Sequence, residues 1–220
     1  METAVLVTEG HTPLGASLVR FLLGRGFRVA AAVDPAAQGA DGGWPAEYRA
    51  KPFISVSWNR RSPVASHTLL RAVRDAFGSL DEALILEPAA AALELARCAS
   101  ADIERTFDDL KGVAFLVREL LCHFSGPGGV LCLAGFAPRA PDQAGTALEQ
   151  AVRDGFRGLA SALLAGGAPG KLVVNGFQGS AADPEEYAVF IDRTLEEKAR
   201  KMTGRWFTCP QRAGNLRGRS

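Results

Sequence analysis

The stretch whose residue types most directly suggest chemistry lies at the start of the chain. An apolar run from Val5 leads through Glu9 and Gly10 to Gly15, and an amphipathic segment follows. A strand, a small-residue turn and a helix in this order are typical of a nucleotide-binding βαβ unit, whose turn faces the phosphates. However, the carboxylate of Glu9 and the ring of Pro13 stand where such a turn needs bare backbone. The sequence therefore leaves open whether this turn binds a cofactor.

The other reactive side chains form no recognisable catalytic or metal-binding set. His11, His67 and His123 lack the paired spacing of zinc ligands, and we favour a solvated loop position for His11 over a ligand contact. No serine lies in the G-x-S-x-G context of an α/β-hydrolase, and no G-x-x-x-x-G-K-S/T phosphate loop is present. The adjacent Asp108 and Asp109 are predicted to lie on a solvated helix face.

Composition indicates an ordinary globular domain. The 220 residues are 47% hydrophobic and 22% charged, with a net charge of +1, which favours neither nucleic acid nor a membrane as partner. No apolar run approaches the roughly 18 residues of a membrane span, and no signal peptide is apparent, so we expect a cytoplasmic protein. The four cysteines form no C-x-x-C pair and are expected to be buried, reduced thiols: Cys98, Cys122, Cys132 and Cys209.

The elements that must position these residues alternate between strand and helix. Short apolar runs predict seven strands, over residues 4–8, 27–33, 53–58, 83–86, 130–133, 172–174 and 206–209. Helical periodicity falls between them, over 14–23, 69–77, 102–124, 145–164 and 184–202, and residues 36–49 are predicted to be a loop. This alternation predicts a doubly wound parallel sheet, Rossmann-like, in a single three-layer α/β/α domain over residues 1–210. Residues 211–220 are expected to be a flexible basic tail.

Six stretches, in the right order, resemble the short-chain dehydrogenase/reductase family over nearly the entire chain. Residues 5–15 resemble its opening strand and T-G-x-x-x-G-x-G loop, and 109–117 resemble its N-x-x-G helix start. The other four resemble the approach to strand four, strand five, strand six with its R-V-N motif, and the T-G-Q entry to the last strand: 80–85, 128–133, 172–176 and 203–207. The resemblance implies a Rossmann-like fold and NAD(P)-dependent chemistry of the alcohol dehydrogenase or ketoreductase type.

The resemblance also implies a cofactor site, which this sequence matches only in part. Family glycines would stand at Glu9, Pro13 and Gly15, and only the last is glycine; the N-N-A-G segment appears as residues 85–88. Asp34 ends strand two, where a family acid binds the adenosine ribose and favours NAD, but a turn-forming role explains it equally well. We expect no bound cofactor, or NAD if any dinucleotide binds. The residues implied as remnants of the cofactor site are Gly10, Leu14, Gly15 and Asp34.

The family's catalytic residues are missing from their implied positions. The resemblance places the relay Asn at Asp109 and the Ser at Ala134 or Gly135. The Tyr-x-x-x-Lys pair falls on Glu149 and Arg153, for which we predict a helix-surface ion pair. Neither of the two tyrosines in the chain is followed by lysine four residues later.

These observations favour a non-catalytic subunit that assembles through helices 102–124 and 145–164. Its partner is expected to be a second copy or an active short-chain dehydrogenase/reductase paralogue, for which it serves as structural or regulatory subunit. Two alternatives stay open: an NAD-dependent oxidoreductase with rearranged acid–base groups, and a ligand sensor that uses the crevice at the strand ends. The helix residues expected to form or support the assembly face are Phe115, Val117, Leu121, Phe156, Leu159, Ala160 and Leu163.

Overall fold

A single seven-stranded parallel sheet organises the chain. The computed structural model describes residues 2–35, 43–90, 92–136, 145–167, 170–179 and 183–210. The strand order is β3-β2-β1-β4-β5-β6-β7, which confirms the predicted doubly wound topology. The order reverses between β1 and β4, where such folds open a crevice at the carboxyl ends of the strands. The strands are β1 (Ala4–Val7), β2 (Arg28–Val33), β3 (Phe53–Ser57), β4 (Glu82–Leu86), β5 (Gly129–Phe136), β6 (Leu172–Gly179) and β7 (Arg205–Thr208).

Helices cover both faces of the sheet. α1 and α5 pack together on one face, and α2, α3 and α4 cover the other. The central strands β1 and β4 are buried at every position, because helices cover both sides of the sheet, and the buried carboxylate of Glu82 at the start of β4 is paired with Arg200. The described α-helices are α1 (Pro13–Gly24), α2 (Pro63–Phe77), α3 (Ser100–Phe124), α4 (Ala147–Gly166) and α5 (Pro184–Thr194).

Several predicted boundaries differ from the structure. The predicted helix over 184–202 ends as an α-helix at Thr194 and continues as a π-helical segment, Leu195–Ala199. β5 and β6 run past their predicted ends into segments that contain glycine, Gly135 and Gly179, whose lack of apolar signal hid the extension. The predicted loop over 36–49 contains the start of a 3₁₀-helix, Ala46–Ala50, while residues 36–42 and the predicted tail 211–220 lie outside the described part.

Two predictions about side-chain burial were wrong in part. Cys132 and Cys209 are buried, but Cys122 is exposed on α3. Val117, Phe156 and Ala160, which were among the residues expected to form or support an assembly face, are buried in the core against the sheet, since α3 and α4 turn these positions inward. None of the helices that the structure describes is long and apolar enough to cross a membrane.

Candidate functional site

The turn between β1 and α1 keeps a glycine-type backbone at a residue that is not glycine. Glu9 has a φ of 53°, in the left-handed region that glycine adopts most readily. The resemblance implies a glycine at this position. The Glu9 side chain is also buried, with 2% of the residue exposed, so its carboxylate needs a partner inside the protein.

That partner is Arg60, from the loop after β3. The guanidinium Nη2 of Arg60 binds Glu9 Oε1, and its Nη1 lies 3.2 Å from Asp109 Oδ1 and 3.9 Å from Asp34 Oδ2. Its guanidinium carbon also lies 5.1 Å from the centre of the Trp58 ring, within cation–π distance. We refer to Glu9, Asp34, Arg60 and Asp109 as the Glu9 cluster.

Sheet topology and one helix glycine bring the Glu9 cluster together. Three of its members follow β1, β2 and β3, which are neighbours in the sheet, so their carboxyl ends meet at one edge. The fourth, Asp109, comes from α3, where Gly112 allows close approach. A Cβ at Gly112 would lie 2.4 Å from Arg60 Cβ and 2.8 Å from its carbonyl oxygen. The helix therefore packs directly on the backbone that carries Arg60.

Burial controls the protonation of the cluster. Desolvation raises the pKa of Glu9 from 4.5 to about 7, and the neighbouring Arg60 opposes the shift. Desolvation likewise raises the pKa of Asp109, and it lowers the pKa of His11 nearby. Arg105 extends the network, since its Nη2 lies 3.2 Å from Asp34 Oδ2. Three carboxylates thus face two guanidinium groups, and a phosphate placed here would meet like charge.

Three N–H groups of the turn, those of Gly10, Thr12 and Gly15, are also engaged within the protein. Thr12 caps α1, because its Oγ1 accepts a hydrogen bond from Gly15 N at 3.2 Å. Thr12 N donates to Glu9 O at 2.9 Å and Gly10 N donates to Ala32 O at 3.1 Å. Pro13 offers no N–H, which costs the helix nothing at its first position. A phosphate would have to displace these bonds to be held as in a phosphate-binding turn.

The implied cofactor residues have structural contacts in this arrangement. A Cβ at Gly15 would lie 2.1 Å from Glu9 O, and one at Gly10 would lie 2.8 Å from the Ala31 Cβ. Leu14 is buried in the core beneath the turn. Asp34 forms ion pairs with the Glu9 cluster and with Arg105, a role that neither sequence interpretation anticipated. The structure thus brings the four implied residues to one edge, where packing and ion pairing account for them.

A second charged pair lies further along the same edge, and it corrects a prediction. Glu149 is the third residue of a capping box: its Oε2 accepts from Thr146 N at 2.7 Å, and Thr146 Oγ1 accepts from Glu149 N at 3.3 Å. Within the described part of the chain, Arg153 forms its ion pair with Glu87, at 3.7 Å between Nε and Oε1. The predicted Glu149–Arg153 pair is therefore wrong, because Glu149 caps the start of α4 and Arg153 pairs with Glu87.

Glu87 is the residue of this edge that is best suited to proton transfer. Its side chain is 12% exposed, and desolvation raises its pKa from 4.5 to about 7, against the opposing effect of Arg153. A carboxyl group with a pKa near neutrality can exchange protons with a ligand. Glu87 and Arg153 separate two cavities, one of about 330 Å³ beside the β1–α1 turn and one of about 610 Å³ between α4 and the ends of β6 and β7.

Sequence reasoning gave no role to three of the residues that matter here. Arg60 and Glu87 come shortly after the ends of β3 and β4. A search for charged residues just after each predicted strand would have found both of them. Tyr187 is one of the two tyrosines that no lysine follows at the family spacing. Its hydroxyl donates to Gly135 O at 2.8 Å, and the residue is fully buried. Burial raises the pKa of this phenol well above its usual value, and the ring stacks on Phe136 and Phe190, so Tyr187 serves the packing of α5. Among the described residues, no group of His, Cys, Asp and Glu side chains could hold a metal ion.

Comparison with known proteins supports the fold and goes no further. No protein-family model matches the chain, and no curated protein matches its sequence. A short chain dehydrogenase from Mycobacterium smegmatis has a similar structure, with a TM-score of 0.80 at 19% identity over 96% of this chain and 93% of that one. A short chain dehydrogenase from Burkholderia cenocepacia in complex with NADP has a TM-score of 0.75 at 21% identity, over 94% of this chain and 95% of that one. A 3-ketoacyl-(acyl-carrier-protein) reductase from Brucella melitensis complexed with NADH has a TM-score of 0.74 at 14% identity, over 94% of this chain and 96% of that one.

Proposed function

We propose that this chain is a non-catalytic protein of the short-chain dehydrogenase/reductase type. It serves as a structural or regulatory subunit and assembles through α3 and α4, with a second copy or with a catalytically intact paralogue. The observation that carries the proposal is the Glu9 cluster, a buried ion network at the edge where the resemblance implies a dinucleotide. The residues at that edge form ion pairs with one another, and an anionic cofactor bound there would disrupt those ion pairs.

The catalytic positions support the same conclusion. Ala134 and Gly135, where the resemblance implies a serine, carry no hydroxyl group. Glu149 caps α4 and Arg153 is paired with Glu87, so neither supplies the phenol that the reaction needs. Loss of such donors at a reacting carbonyl lowers rates by roughly two to three powers of ten for each group.

The outward faces of α3 and α4 support assembly. Phe107 on α3 is 50% exposed, and Ala114 is exposed two turns further along the same helix. On α4 the exposed positions include Gly158 and Ala162, whose small side chains allow another helix to approach closely. The same stripe of α3 carries the exposed Lys111 and Arg118, so this surface combines apolar, small and basic side chains, as interfaces between subunits with a polar rim do.

The assembly is tested by the mass of the purified chain in solution, alone and co-expressed with a paralogue that carries an intact Tyr-x-x-x-Lys motif. We expect a dimer or larger species, with Ala114→Glu shifting it towards monomer. Thr68→Glu on the exposed face of α2 is the matched control and leaves the mass unchanged. A monomeric chain that also fails to co-purify with the paralogue would refute the assembly.

A second candidate is an NAD-dependent oxidoreductase with rearranged acid–base groups. It is favoured by Glu87, whose pKa of about 7 suits proton transfer beside the 610 Å³ cavity. In this case NADH-dependent reduction of a carbonyl panel is detectable and Glu87→Gln abolishes it. Turnover that Glu87→Gln removes would replace the first proposal with this one.

A further inference from the structure

The larger cavity at the strand ends, which we call the α4–β7 cavity, combines a charged end with apolar walls. Its volume is about 610 Å³, within the range of small-molecule sites. Glu87 and Arg153 form one end. Phe136 and Trp206, both partly exposed, and Pro210 provide apolar surface. No member of the Glu9 cluster lines it, so it is a separate place in the fold.

The charged end is only partly satisfied. Arg153 and Glu87 are 3.7 Å apart, longer than a good charge-assisted hydrogen bond, and Arg153 Nε is buried without a hydrogen-bond partner among the described residues. Glu87 also accepts a hydrogen bond from the backbone N–H of Phe136. Arg153 therefore has the capacity for a further anionic partner, while Glu87 has an alternative donor if that partner arrives.

We propose that the α4–β7 cavity binds a small amphipathic carboxylate, with its headgroup on Arg153 and its hydrocarbon part against Phe136 and Trp206. A carboxylate matches the fork of a single guanidinium group. A phosphate dianion fits less well, because the opposite charges of Asp154 and Arg157, which line the same cavity, offset each other and leave Arg153 to balance a single negative charge. The aromatic walls require an apolar body, since a purely polar ligand would leave them in contact with water.

Binding is coupled to proton uptake at Glu87. The ligand carboxylate takes the place of Glu87 as the anion nearest Arg153, and Glu87 becomes neutral. Because burial already places the pKa of Glu87 near 7, this uptake costs little below neutrality and progressively more above it. The charged and titratable groups that face Glu87 are Arg153, Asp154, Arg157 and Glu149 from α4, Tyr187 from α5, and Cys209 beyond β7.

The test is calorimetric titration of the purified chain with octanoate, and with 1-octanol as the neutral probe of equal chain length. We expect saturable binding of one octanoate per chain, about tenfold weaker near pH 8 than near pH 6. Arg153→Met keeps the aliphatic stem and removes the charge, so octanoate binding falls by at least about tenfold while octanol binding is unchanged. Glu87→Gln removes the difference between the two pH values.

Arg118→Met is the matched control, since Arg118 is 72% exposed on α3 away from the cavity, and it leaves octanoate binding unchanged. Thermal melts verify that each variant is folded. The proposal would be overturned if the wild type failed to bind octanoate saturably, or if Arg153→Met bound it equally well. Equal affinity of the wild type at both pH values would overturn the role of Glu87. Octanoate binding is read from heat and assembly is read from mass in solution, so failure of the one and failure of the other are recorded separately.

Discussion

Removal of the Arg60 charge is the sharpest test of the Glu9 cluster as a structural device. Arg60→Met leaves Glu9 and Asp109 facing each other in a space where Arg60 was 5% exposed. Loss of one partner from a buried ion pair costs about 3–5 kcal/mol of the free energy of unfolding. A chain of this length loses about 3 °C of Tm per kcal/mol, so Tm falls by roughly 10 °C.

The loss depends on pH in a direction that follows from the pKa of Glu9. Its folded pKa, about 7, is above its unfolded value of 4.5, so the ionised form destabilises the folded state. Without Arg60 this pKa rises further, and the carboxyl group avoids the penalty by staying protonated at low pH. The effect of Arg60→Met is therefore larger at about pH 8 than at about pH 5.5.

Urea unfolding at both pH values measures this effect. Arg61→Met, one residue along, is the control: Arg61 is 62% exposed and its ion pair with Asp108 is on the surface, so the cost is below about 1 kcal/mol. Glu9→Gln added to Arg60→Met recovers part of the loss, because the buried charge is gone. The reasoning is refuted if Arg60→Met costs no more than Arg61→Met, or if its cost is the same at both pH values.

Three further outcomes follow from the same structure. Glu9 contributes about 3 kcal/mol of stability below pH 4.5 that is lost as pH rises through 7, and Glu9→Gln removes that part of the pH dependence, measured by urea unfolding across the range. Gly112→Ala costs about 1–3 kcal/mol, because the new methyl group meets the backbone of Arg60 at 2.8 Å; exposed Gly158→Ala on α4, which meets nothing, is neutral or stabilising. Asn175→Ala costs roughly 2–3 kcal/mol in the same assay, because its side chain makes three hydrogen bonds that tie β6 to the segment before β7; an unchanged midpoint would contradict this.

The fold was largely predictable from the sequence. Buried parallel strands read as short apolar runs, so all seven strands and five α-helices were predicted within a few residues of most ends. The boundaries that failed lie where apolar periodicity carries no information. Gly179 ends β6 without an apolar side chain, and the change from α- to π-helix at Leu195 depends on backbone geometry that composition does not encode.

The candidate site was less predictable, because its contacts join distant parts of the chain. Glu9 was recognised as unfavourable for phosphate, but its partner Arg60 is 51 residues away and resembles any other surface arginine in the sequence. Likewise, the spacing of Glu149 and Arg153 indicated a pair along one helix. The pairing of Arg153 with Glu87 depends on the position of α4 over the end of β4, which only the packed structure supplies.

The most direct test of the central claim is calorimetric titration of the purified chain with NADH, beside the 3-ketoacyl-(acyl-carrier-protein) reductase from Brucella melitensis, whose structure is a complex with NADH, under the same conditions. The claim is that the Glu9 cluster and the Thr12 cap leave no phosphate-binding turn at the end of β1. We predict no binding heat for this chain up to about millimolar NADH, where the free energy of binding would be about −4 kcal/mol. Micromolar, saturable NADH binding would contradict the claim.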